Sequence, residues 1–182
     1  IVNEILFNPK GNDDDYIEIY NRSNKIIDLQ EVFIANANDD GSIKDAFQIY
    51  TSPLTILPQS YIAITTSKLN TISQYSPPPS ASIAEVDKIP TFSNDKGTAI
   101  LISQTNIILH SFFYEDDLHF ELLLDEDGVS LERSHLDTTN EHWSSASYKV
   151  NYGTPGYKNS QFRNIPNSAS FATLLYADPI KH

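Results

Sequence analysis

The chain has 182 residues, with 24 acidic against 12 basic side chains, a formal charge of −12 and 40% hydrophobic residues. That is enough apolar material for one core. The charge excludes the basic footprint a nucleic-acid surface needs and disfavours docking on an anionic membrane. The absence of cysteine excludes disulfides, thiolate metal sites and cysteine nucleophiles.

The pattern along the chain is that of strands. Residues 1–7 open directly in strand-like sequence. Tyr16-Ile17-Glu18-Ile19-Tyr20 alternates, with two isoleucines on one face and Glu18 between tyrosines on the other. Residues 32–35 form the next predicted strand, and 36–42 a polar loop. Leu57-Pro58-Gln59-Ser60 turns the chain into a strand at 61–65. Residues 69–90, with Pro77-Pro78-Pro79, read as an extended surface excursion. Residues 99–102 and 107–109 flank Ser103-Gln104-Thr105-Asn106 as a hairpin. A short helical turn, an irregular loop and a strand all fit 115–124. Asp125-Glu126-Asp127-Gly128 turns into a strand reaching Arg133. Residues 171–176 are apolar enough for a last strand.

No long amphipathic helix stands out. No apolar run approaches the roughly 20 residues of a membrane helix, so no membrane insertion is expected. Such spacing predicts an all-β antiparallel sandwich over 1–159, with 160–182 as an extension or linker. Methionine is absent even at position 1, which leads to the expectation of a processed or excised piece.

Several segments carry a family resemblance in the right order. They are Asn3-Glu4-Ile5-Leu6, Asp15 to Asn21, Ile27-Asp28-Leu29, Leu57-Pro58-Gln59-Ser60-Tyr61, Ser130-Leu131-Glu132-Arg133, Trp143, and Thr154-Pro155-Gly156-Tyr157-Lys158-Asn159. Together residues 1–159 resemble the lamin-tail domain family, in its bacterial surface-protein branch. The resemblance implies an immunoglobulin-like β-sandwich and an exported protein, periplasmic, cell-surface or extracellular. The chain departs from the family's pattern where Gln30-Glu31-Val32 replaces a Ser/Gly-Gly-Trp segment, and at Gly153, where alanine is common.

Candidate sites follow from the residues themselves. Glu4 and Glu18 are acids inside strands, and they lie close if their strands pair. Arg133 is the expected partner in a partly buried ion-pair network; a shared cation or an acid/base pair are the alternatives. Asp13, Asp14 and Asp15 form an acidic run that could bind calcium, which wants several oxygen ligands, against a reading as solvated turn. The run lacks the alternating spacing of an EF-hand. The five histidines form no zinc motif, and no serine sits in a nucleophile elbow. Tyr16, Tyr20 and Tyr157 are candidates for an exposed aromatic surface, and Trp143 for a packing residue. The expected role is a non-catalytic interaction or adhesion module with a protein or glycan partner and no required cofactor. The alternatives are a calcium-stabilised module, a carbohydrate-binding module, or an accessory domain of a secreted nuclease or hydrolase.

Overall fold

The computed structural model describes residues 1–11, 13–50, 53–136 and 142–163. Asn12, the predicted strand at 171–176 and His182 lie outside them. The elements in chain order are β1 (Val2–Leu6), β2 (Tyr16–Tyr20), β3 (Ile27–Asp28), β4 (Val32–Ala37), β5 (Ile43–Gln48), β6 (Thr55–Ile56), β7 (Tyr61–Thr65), α1 (Lys68–Tyr75), β8 (Ile83–Glu85), β9 (Lys96–Ser103), β10 (Ile108–Glu115), β11 (Leu131–Arg133) and β12 (Trp143–Ser145). The fold is mostly β with one short helix. One sheet has the order β12-β11-β1-β2-β7-β8, a second β10-β9-β4-β5, and β3 pairs with β6.

Strand alternation explains the core. Ile5, Ile17, Ile19, Ile62, Ile64 and Leu131 of the first sheet share one buried cluster with Ile34, Leu101 and Phe112 of the second. These β-branched and aromatic residues suit a pleated, buried surface. The neighbours between them in the first sheet therefore point away from that core. In β1 the alternation is broken by a bulge between Val2 and Glu4. Asn3 is the extra residue, so Asn3 and Glu4 both serve the outer face while Val2 and Ile5 stay in the core.

The 69–90 stretch is more ordered than the excursion expected. Ser67 caps α1, accepting from Asn70 N, and Thr71 and Tyr75, one turn apart, are its buried face. The helix returns the chain so that β8 runs parallel to β7, a pairing that requires a crossover of this kind. The sheet is thus mixed, not wholly antiparallel. β5 was not expected either; its sequence Ile-Lys-Asp-Ala-Phe-Gln has no clean alternation because it is a largely exposed edge strand. In the region 115–124 β10 ends at Glu115 and a 3-10 turn, Asp116–Leu118, follows. Among the described residues no helix is long and apolar enough to cross a membrane.

Candidate functional site

The outer face of the first sheet carries a row of three carboxylates. Glu4 on β1 lies opposite Glu18 on β2 and opposite Glu132 on β11. Their direct cross-strand pairing puts all three on one face. None is exposed at all. On that face Tyr75 of α1 packs edge-on against Tyr16 at 5.5 Å. The segment 153–161 lies across β1, β2 and β11 as a strap, bonded to all three carboxylates.

The strap supplies most of the donors the buried acids need. Thr154 N donates to Glu4 Oε1 at 2.8 Å, and Gly156 N to Glu18 Oε2 at 2.7 Å. Ser160 Oγ and Gln161 N both donate to Glu132 Oε2 at 2.8 Å. The sheet side adds Tyr16 Oη and Ser130 Oγ, each 2.5 Å from Glu4 Oε1. Asn3 Nδ2 donates to Glu18 Oε1 at 2.7 Å and to Asn159 Oδ1 at 2.6 Å. Asn159 Nδ2 returns bonds to the Asn3 and Arg133 carbonyls. Buried carboxylates are tolerable only when so paired.

Thr154 Oγ1 stands 2.7 Å from both Glu4 Oε2 and Glu132 Oε1. A hydroxyl has one proton, so it can donate to only one of them. The other contact becomes a hydrogen bond when that carboxyl carries a proton and donates to Oγ1. Burial, then the charge of Glu132, pushes Glu4 up to about 7. Burial and the Glu4 charge hold Glu18 well above the ordinary carboxylate range. Tyr16 is likewise pushed up by burial and by Glu4.

Arg133 is not the partner of this cluster. It follows Glu132 in the strand, so its side chain returns to the opposite face, between the sheets. There its Nε donates to the Val2 carbonyl at 3.2 Å, its guanidinium lies 3.2 Å from His110 Nε2 and it sits 4.8 Å from the Trp143 ring. Trp143 stacks on Phe112 at 3.6 Å, as a packing residue would. The expected network therefore resolves into two places: acids held by hydroxyls and amides on one face, and Arg133 on the other.

The aromatic surface expected from Tyr16 and Tyr20 is also corrected. Tyr16 is sealed under α1 and the strap, and Tyr20 is buried, tilted against Tyr61 with ring centroids 4.7 Å apart and its hydroxyl donating to Gln59. Tyr157 is half-buried at the strap. Glu132, Thr154 and Asn3 are among the residues of the site that went unread in the sequence, with Ser130, Gly156, Asn159, Ser160 and Gln161. Alternation from Leu131 would have placed Glu132 beside Glu4; the bulge that turns Asn3 has no signal in the pattern.

The acidic run lies elsewhere. Asp14 accepts from Thr66 Oγ1 at 2.7 Å and from Asn70 Nδ2 at 3.4 Å, while Asp15 accepts from Phe92 N at 3.3 Å. Burial raises Asp15 to about 7. These carboxylates are drawn to separate partners, and among the described residues no three acids or histidines come together to hold a metal. Thermal unfolding of chelator-stripped protein is expected to give the same midpoint, within about 1 °C, with and without millimolar calcium. A calcium-specific rise would restore the run as a site.

A family model described as Lamin Tail Domain matches residues 1–116. That span includes Glu4 and Glu18 but neither Glu132 nor the strap. No curated protein and no solved structure matches the chain.

Proposed function

The chain belongs to the lamin tail domain family, and from that premise we propose a non-catalytic interaction module, an immunoglobulin-like sandwich that docks on a protein or a cell-surface glycan. The observation that carries this reading is the sealing of the carboxylate row. A general acid or base must reach a substrate, whereas Glu4, Glu18 and Glu132 lie wholly beneath the strap and α1. Their donors tie the strap to the sheet, which is a structural task. Large aliphatic side chains are instead exposed at the ends of the strands, where loops carry binding in such folds. The proposal extends to an exported protein of the bacterial branch, supported by the closing segments Ser130 to Arg133 and Thr154 to Asn159. The test is selection from a random-peptide display library, beside a glycan array, with the purified chain as bait. Recovered binders that compete with one another are expected; no binder from either source would overturn the reading.

A further inference from the structure

Between β10 and β11 the chain makes a long loop whose tip is apolar. Phe120 is 58% exposed, Leu122 76%, and Leu124 fully. Leu123 N donates to the Phe120 carbonyl at 2.9 Å, and this turn keeps the three side chains within one short stretch. Large apolar residues gathered in this way mark a binding surface more than scattered ones do. The loop is anchored on both sides of its tip. Leu118 packs on the main core, and buried His119 packs against Phe7 at 5.6 Å. Phe120 N donates to Ser145 Oγ at 2.9 Å. On the far side Gly128 N donates to the Asn8 carbonyl at 2.8 Å. A surface held in place before binding loses little freedom on binding.

The charge round the tip has one sign. Residues 116–127 include Asp116, Asp117, Glu121, Asp125, Glu126 and Asp127 and no lysine or arginine. Burial, then the charges of Asp116, Asp117 and Asp125, raises Glu126 above its ordinary range, so these acids lie near one another. His119 adds no positive charge, because burial pushes it down to about 4. The cations at the margins are matched. Lys96 lies opposite Glu115 and next to Asp95, and Lys10 shares a turn with Asp13. Such a rim repels a second copy of a chain of net charge −12, and an anionic membrane likewise.

We propose that the loop 116–127 is a docking site for a basic protein segment, which receives Phe120, Leu122 and Leu124 on an apolar face and sets its lysines or arginines against the surrounding carboxylates. The proposal rests on the reading of the chain as an interaction module. It gives that module a partner chemistry: an apolar face with basic flanks.

The test is amide chemical-shift mapping of the ¹⁵N-labelled chain with three capped, amphipathic helical peptides. One has leucines on one face and lysines on the other, one has leucines and glutamates, and one has serines and lysines. The first is expected to give saturable shifts at Phe120, Leu122 and Leu124. Its binding should weaken by about tenfold in Leu122→Ser and in Glu121→Lys. Both residues are exposed, and an otherwise unchanged spectrum verifies that each variant is folded. Equal binding of the glutamate peptide would remove the charge from the recognition, and equal binding of the serine peptide would remove the apolar contact; either overturns the proposal. Shifts at these residues with protein concentration alone would make the occupant a second copy and overturn it too. A peptide footprint on another face would overturn this surface and leave the interaction module standing. With no footprint anywhere and no recovered binder, both fall.

Discussion

Gly156→Ala is expected to destabilise the domain by about 4 kcal/mol, because it combines a left-handed backbone position with a collision against main chain. Gly156 has φ +84°, a conformation side-chain-bearing residues adopt at a cost. A Cβ there would stand 2.7 Å from Ser82 N and 2.8 Å from Ser82 C. Ser82 immediately precedes β8, so it cannot yield without disturbing that strand. It also donates to the Gly156 carbonyl at 2.9 Å, while Gly156 N donates to Glu18. Displacing the strap breaks both bonds and leaves a fully buried carboxyl short of a donor. Gly41→Ala is the control. It has nearly the same φ, +82°, but nothing within 4 Å of its Cβ, so only the backbone penalty of about 1 kcal/mol applies. Urea denaturation of the two variants measures the difference. Similar losses in both would mean that the strap gives way freely at Ser82.

The same residues show how far the site was legible in the sequence. Alternation in Tyr16-Ile17-Glu18-Ile19-Tyr20 placed Glu18 opposite the core, and pairing of the first two strands brought Glu4 beside it. Those are period-two facts, readable without coordinates. The partner was not readable this way. Arg133 is the nearest cation by strand logic, yet Glu132 before it takes the acid face and sends the guanidinium to the core side. The true donors, Thr154 and Gly156, belong to a segment with no periodicity at all. Tyr16 and Tyr20 failed as a surface for a related reason: the outer face of an edge-on sheet is polar only if nothing covers it, and both α1 and the strap do. The helix itself was hidden because its buried face is Thr71 and Tyr75, while Leu69 and Ile72 point outward, the reverse of an apolar stripe.

Glu4→Gln is expected to gain on the parent protein as pH rises. The folded-state pKa of Glu4 is raised from 4.5 to about 7. Between those values the native state holds a proton that the unfolded chain releases, so the parent loses stability with rising pH. The loss is fully absent below 4.5 and complete above 7, and the full swing is about 3 kcal/mol. Glutamine keeps the shape without the charge, so its stability relative to the parent should climb by that amount across the window. The absolute profile of the parent is a poorer readout. Glu18 and Asp15, both raised, act in the same direction as Glu4. His110 and His119, lowered to about 3 and about 4, make stability rise with pH up to the ordinary histidine range. The amino end, lowered to about 5, does the same up to about pH 8. Asp15, the histidines and the amino end are common to both proteins, so subtracting one profile from the other isolates the carboxyl row, in which Glu18, held up partly by the Glu4 charge, also responds to the substitution. Urea unfolding of parent and variant at pH 5, 6, 7 and 8 supplies the subtraction. A constant difference would mean that Glu4 does not titrate in this range.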